Sequence, residues 1–234
     1  MADSPPLVSI LTPVYNGWEF LPDCAQGVYN QEEVAREWLI GINGHGADGG
    51  PAAAAAAALL RAHPPPAGCS VRLLVLPAAR GKVEAMNALV AAASSSAAWV
   101  AVLDCDDVWA PRKLAAQFDA VAEGADVIGT HCLYFGDMLS AGPRLPCGWI
   151  PSDAWRSGNP LINSSVLMRR ELAHWEDRFG LDDYDLWIRL SLAGKKLYNL
   201  AEPLTYHRIH AASAFNGKGR QDVEGLRKAY GGIS

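Results

Sequence analysis

The chain has 234 residues, half of them hydrophobic, with 20 Lys and Arg against 25 Asp and Glu and a net charge of -5. That size and apolar content allow one compact domain with a substantial core, and the acidic balance argues against a nucleic-acid backbone or an anionic membrane as main partner. Five cysteines, odd in number, widely spaced and without a CxxC pair, point away from a disulfide framework or zinc knuckle and towards a reducing compartment.

The N-terminal MADSPPLVSILTP has no basic segment before its apolar run, and no stretch reaches the roughly 18–20 apolar residues that span a bilayer. The expectation is a soluble cytoplasmic protein, with peripheral membrane association left open.

In chain order, LVSILTP (7–13), WLIGI (38–42), VRLLVLP (71–77) and AWVAVLD (98–104) are short apolar runs that recur about every 30 residues, the length of a βαβ unit. They predict parallel strands. The gaps hold helical segments: WEFLPDCAQGVYNQ, AAAAAAALLRAH and GKVEAMNALVAAASS, the last with Val83, Met86, Leu89 and Val90 on one face. HPPPAG stops the second helix. The poly-alanine run itself reads as a surface helix with little specific packing and no chemistry.

Pro111 suits the first turn of a helix, PRKLAAQFDAVAEG, and ADVIGTHCLYFG reads as a strand. Beyond it GPRLPCGWIPSDAWRSGNP is rich in Gly, Pro and Trp, while SSVLMRR and PLTYHRI read as further strands. The fold class predicted is α/β: one domain over residues 1–234, with a Rossmann-like, mostly parallel central sheet flanked by helices and a mixed second half.

In an open parallel sheet, ligands bind beyond the carboxyl ends of the strands. One of those ends reads VLDCDDVWAP, with Asp104, Asp106 and Asp107 crowded around Cys105. Clustered carboxylates repel and raise one another's pKa, so the cluster needs a cation. In an extended segment Asp104 and Asp106 point the same way and Cys105 the other, which suits Mg²⁺ or Mn²⁺ carrying a nucleotide diphosphate. The bland alternative is that Asp107 caps the following helix and the others are solvated turn residues.

VSILTPVYNGWEFL, GKVEAMNALVAAA, LDCDDVWAPRKLAAQ and LDDYDLWIRLSLAG followed by YHRIHAAS occur in the order found in family 2 inverting glycosyltransferases of the GT-A fold, and the chain resembles that family over residues 7 to about 213. The resemblance implies transfer of a sugar from a nucleotide-diphosphate donor, most commonly a UDP-sugar, to an acceptor hydroxyl, with Mn²⁺ or Mg²⁺. The acceptor class is a glycan, a protein-linked glycan or a small molecule. It also implies a nucleotide-sugar half (about 7–107), an acceptor and catalytic half (about 108–213) and a C-terminal tail or helix (214–234).

On the matching positions, the resemblance puts Thr12, Pro13 and Tyr15 beside the nucleotide, with Asp104 near the ribose or metal. Asp106 becomes the leading metal ligand, with Asp107 beside it. Where the family has an acidic turn after its second strand, this chain has INGHG, so Asn43 faces the base without a charge. Lys82 reads either as a phosphate or base contact or as a solvated helix-end charge.

An inverting displacement needs a base for the acceptor proton. LDDYDLW matches the family's acidic pair before an aromatic, making Asp183 the base and Asp182 a neighbour that raises its pKa. The same residues read as an acidic helix N-terminus, and both readings hold together. Asp185 is expected to make a structural contact. YHRIHAAS supplies Arg208 for the leaving group and His210 for metal or phosphate. Trp155, Asn159 and Asn163 fall on the family's acceptor side.

Two other classes remain. A sugar-phosphate nucleotidyltransferase would show a Gly-rich basic N-terminal loop, which LTPVYNGWEF lacks; a noncatalytic nucleotide- or glycan-binding module would not need Asp183. A DxD phosphatase would open its motif on the first strand.

Overall fold

The computed structural model describes residues 6–211 and 221–231. Along the chain run β1 (Leu7–Val14), α1 (Leu21–Tyr29), β2 (Ala35–Asn43), α2 (Gly50–Ala62), β3 (Cys69–Leu76), α3 (Lys82–Ala92) and β4 (Trp99–Val102). Then follow β5 (Val108–Trp109), α4 (Lys113–Ala122), β6 (Val127–Gly136), β7 (Ser140–Ala141), β8 (Gly148–Trp149), β9 (Leu167–Arg169), α5 (Asp182–Leu192), β10 (Leu197–Ile209) and α6 (Val223–Ala229).

The strands form one sheet in the order β3-β2-β1-β4-β9-β6-β10-β5, with β7 on β6 and β8 on β10. β1 is parallel to β2 and β4, and β2 is parallel to β3. β9 is antiparallel between β4 and β6, and β6 and β10 are parallel again. Strand order reverses at β1 and β4, so their carboxyl ends flank the crevice where an open sheet binds ligands.

Both faces of the sheet are covered, which is why its first strands read as continuous apolar runs. Val8, Ile10 and Val14 of β1 and Trp38, Ile40 and Ile42 of β2 pack with α1, α2 and α4; Leu11 and Leu39 point the other way, onto α3 and α5. Each such side chain, once enclosed, contributes about 1.5–3 kcal/mol.

The poly-alanine helix is more specific than its composition predicts. Ala52, Ala56 and Leu59, at helical spacing, are buried against the sheet, because methyl side chains let α2 lie close to the strands. Leu226 of α6 joins Trp155, Tyr184 and Ile188 in a small third cluster, and the Asp222 carboxylate caps α6 by accepting the Gly225 N–H at 2.7 Å. Of the C-terminal segment 214–234, residues 214–220 and 232–234 lie outside the described residues, as do 212–213. Among the described residues no helix is long and apolar enough to cross a membrane.

Candidate active site

β4 ends at Val102, and the Asp107 N–H donates to the Asp104 carbonyl at 3.1 Å, closing a tight turn. The backbone is therefore not extended through the acidic run, so the i, i+2 rule for strands does not govern Asp104 and Asp106. Each carboxylate has its own partners. Cys105 is the buried spacer expected of it, its Sγ donating to the Asn16 carbonyl at 3.3 Å.

Asp104 meets the Lys82 ammonium at 2.8 Å through Oδ1. Its Oδ2 accepts from Ser164 Oγ at 3.1 Å and Asn163 Nδ2 at 3.3 Å, and its own N–H donates to Ser164 Oγ at 3.1 Å. Burial opposes ionisation, but the Lys82 charge and these donors outweigh it and hold the carboxyl below the usual range. Asn163, expected on the acceptor side, thus also braces Asp104. The Lys82 side chain is 41% exposed, and against what burial it has, Asp104, Asp182 and Asp183 push it up, so its charge serves these carboxylates from the start of α3.

Asp106 Oδ2 lies 3.0 Å from His210 Nε2. Burial, then the charges of Asp107 and Asp104, push the Asp106 carboxyl up. Asp107 differs. It is fully buried, with Oδ2 3.0 Å from His207 Nδ1 and Oδ1 accepting the Arg208 N–H at 2.8 Å. Both oxygens are spent on β10, so Asp107 is neither turned towards a cation with Asp106 nor a cap for α4, whose first turn is held instead by Gln31 Oε1, accepting the Leu114 N–H at 3.0 Å. His207 is pushed up, the Asp107 contact overcoming burial.

Arg208 is also committed within the protein: it donates to the Asp106 carbonyl at 2.9 Å and to Asp23 at 2.6 Å, between the Phe20 and Phe135 rings at 4.5 and 4.2 Å. Two partly buried aromatic faces and these paired donors together hold the guanidinium in place.

At the ends of β1 and β2, Thr12 is buried and its hydroxyl accepts Trp38 Nε1 at 2.9 Å, so that side chain is structural and not a nucleotide contact. Pro13 is half-buried and Tyr15 is 56% exposed, while Asn43, the last residue of β2, is 3% exposed. Gly44 has φ of 77°, and a Cβ there would sit 2.6 Å from the Tyr15 ring. His45 Nε2 hydrogen-bonds the Tyr15 carbonyl, and its ring lies 5.5 Å from that of Tyr15 and 5.6 Å from Trp18. His45 and Trp18 form an aromatic shelf that sequence reasoning missed, although WEF and GHG sit at the strand ends where it searched.

Asp183 stands in the first turn of α5, with Oδ2 accepting from Asn159 Nδ2 at 2.9 Å. Burial and the neighbouring Asp182 push it up to about 6, with Lys82 acting in the opposite direction. Asp182 Oδ2 is enclosed without a partner among the described residues. Asp185 is the structural residue expected: fully buried, it accepts from Arg178 at 2.8 Å, Arg189 at 2.7 Å and Tyr230 at 2.7 Å. Trp155 is 2% exposed and belongs to the third cluster, with its carbonyl accepting from Tyr184. It offers no face to an acceptor. Ser164, which fixes Asp104 from two sides, had no signal in the sequence beyond its place beside Asn163.

Among the described residues no group of three His, Cys, Asp or Glu converges as a ready-made metal cage. Two carboxylate–imidazole pairs stand here, Asp106 with His210 and the buried Asp107 with His207, each at 3.0 Å. One carboxylate and one imidazole fit a hard cation that takes its remaining ligands from substrate phosphates and water.

Residues 9–170, well over half of the chain, match the model of the family described as Glycosyl transferase family 2. The fold is similar to that of a mannosyltransferase, PcManGT from Pyrobaculum calidifontis, in complex with GDP-Man and Mn²⁺: TM-score 0.66, 17% identity, over 90% of this chain and 59% of that one. It is similar also to S. aureus TarS 1-349 in complex with UDP-GlcNAc: TM-score 0.74, 11% identity, over 95% of this chain and 65% of that one. The chain thus spans less than two thirds of the length of either structure. No curated protein sequence matches it. The sheet order, the strand-end site and the family match agree: this single-domain GT-A fold belongs to glycosyl transferase family 2.

Proposed function

We propose that the protein transfers a sugar from a nucleotide-diphosphate donor to an acceptor hydroxyl with inversion, and that Asp183 is the general base. The observation that carries the reading is the pairing of two sites by one lysine. Lys82 holds Asp104 at the donor strand end while its charge reaches Asp182 and Asp183 at the start of α5. Asn159 on Asp183 and Asn163 on Asp104, four residues apart in one loop, support a shared crevice for donor-side and base-side residues.

A carboxyl pushed up to about 6 is mostly ionised at neutral pH yet binds a proton far better than an ordinary aspartate. In the transfer step the acceptor O–H bond breaks and its proton moves to Asp183. The acceptor oxygen bonds to the anomeric carbon, and the bond from that carbon to the diphosphate breaks with its electron pair on the leaving group. Holding the groups in line supplies much of the rate.

For the donor, the Tyr15, His45 and Trp18 shelf suits a flat base, with Asn43 at the end of β2 able to donate and accept. UDP is the proposed nucleotide, as in the UDP-GlcNAc complex of TarS; GDP, as in PcManGT, is the alternative for a donor panel. Asp104, neutralised by Lys82, is assigned to the ribose. Mn²⁺ or Mg²⁺ would be held by Asp106 and His210 and would supply positive charge to the departing diphosphate. Arg208, already paired with Asp23, braces the turn that carries Asp106.

Four of the five cysteines are buried and all are free, which supports a reducing, cytoplasmic setting. Incubation with Mn²⁺ and a panel of nucleotide sugars tests the function: release of nucleoside diphosphate is expected with at least one donor and acceptor. Tight nucleotide binding with no release across the panel would favour a binding module.

A further inference from the structure

Asn159 lies between Gly158 and Pro160 in the loop before the Asn163–Ser165 turn. The following proline restricts it to extended backbone, and buried Pro160 and Leu161 anchor the loop. Its Oδ1 accepts the Leu161 N–H at 3.3 Å, and its Nδ2 donates to Asp183 Oδ2 at 2.9 Å. The chemistry fixes the orientation of the amide. A backbone N–H requires the oxygen on one side, and an ionised carboxylate, which only accepts, requires the NH₂ on the other.

We infer that Asn159 is a positioning residue for the base: its amide claims one carboxylate oxygen of Asp183 and leaves Oδ1 to receive the acceptor proton. This rests on the reading of Asp183 as the base. In the step concerned, the proton leaves the acceptor hydroxyl for Oδ1 as that oxygen bonds to the anomeric carbon, and the electron pair of the broken glycosyl bond departs on the diphosphate. Asn159 takes no proton itself. Its N–H favours the ionised carboxylate and so opposes burial and Asp182, the two influences that push Asp183 up. The charged groups facing Asp183 are Asp182 on its own helix and Lys82 from α3.

Two variants separate positioning from simple folding. Asn159→Ala removes the amide, whereas Asn159→Asp keeps an oxygen for the Leu161 N–H but replaces the donor with a second carboxylate against Asp183. The Asp183 carboxyl is titrated by ¹³C NMR, assigned by difference against Asp183→Asn, and the pH profile of kcat is recorded with Mn²⁺ and the donor that releases nucleoside diphosphate. The midpoint of Asp183 is expected to move to higher pH in both variants, further in Asn159→Asp. At pH 6 the ionised fraction should fall about threefold in Asn159→Ala, with kcat falling alongside it and recovering by pH 8, while the donor KM stays unchanged. An unmoved midpoint, or a kcat loss uniform across pH, in an otherwise active enzyme would overturn the Asn159 inference alone. A moved midpoint in a protein that transfers no sugar at all would overturn the base reading of Asp183, and with it any catalytic part for Asn159.

Discussion

Replacing Asp107 decides whether the third carboxylate of the acidic run is a metal ligand or an anchor. In the structure it is fully buried, and its two oxygens hold His207 Nδ1 at 3.0 Å and the Arg208 N–H at 2.8 Å. Asp107→Ala leaves a backbone donor unpaired inside the protein and breaks an enclosed charged contact, a loss of about 3–5 kcal/mol. For a domain of this size each kcal/mol lowers Tm by about 2–4 °C, so a fall of about 6–20 °C is expected. The assay is thermal unfolding in EDTA and again in Mn²⁺, beside Asp106→Asn. If Asp107 is an anchor, the fall is present in EDTA. Asp106→Asn, which relieves repulsion from its neighbours, should be about as stable as the parent in EDTA yet fail to respond to Mn²⁺. An Asp107→Ala protein that melts with the parent in EDTA and loses only its Mn²⁺ response would refute the anchor and restore the ligand.

Other consequences follow from single contacts. Thr12→Val, which strands Trp38 Nε1, should cost about 1–3 kcal/mol by denaturant unfolding and leave the donor KM unchanged; a raised KM with unaltered stability would return Thr12 to the nucleotide site. Activity should rise with pH through about 6 as Asp183 ionises, with kcat at pH 5 about tenfold below its plateau; a flat kcat from pH 5 to 8 would contradict the base. Lys113 is fully buried against the Trp109 ring with Gln117 as its hydrogen-bond partner, and burial alone pushes its pKa well down. The folded protein then binds fewer protons than the unfolded chain between the lowered pKa and the ordinary lysine value, so stability should climb with pH across that window. Lys113→Met should abolish this slope in urea titrations, and an identical slope in both proteins would mean that Lys113 is not desolvated as described.

What the sequence made readable was whatever repeats. The runs that became β1 to β4 are apolar without alternation because α1, α2 and α4 cover one face of the sheet and α3 and α5 the other, so strand type and order of elements were legible from spacing. The two-residue strands β5, β7 and β8 carried no such pattern, since their pairing with β6 and β10 is set by tertiary contact. The same division runs through the site. Asp106, Asp183 and His210 were singled out by residue type and motif, and the structure brings Asp106 and His210 within 3.0 Å. The anchoring role of Asp107 was not legible because the alternation rule holds for extended backbone, and here the chain turns between Asp104 and Asp107. Ser164, His45 and Asn159 act through neighbours remote in sequence, a relation that spacing does not reveal.

The central claim, that Asp183 receives the acceptor proton in a donor site built separately from it, is tested most directly by Asp183→Asn. The account predicts unchanged affinity for the nucleoside diphosphate with Mn²⁺, by calorimetry, and a fall in kcat of about 10²–10⁴-fold with the donor the wild type uses. Transfer at the wild-type rate in that variant, with donor binding intact, would contradict it.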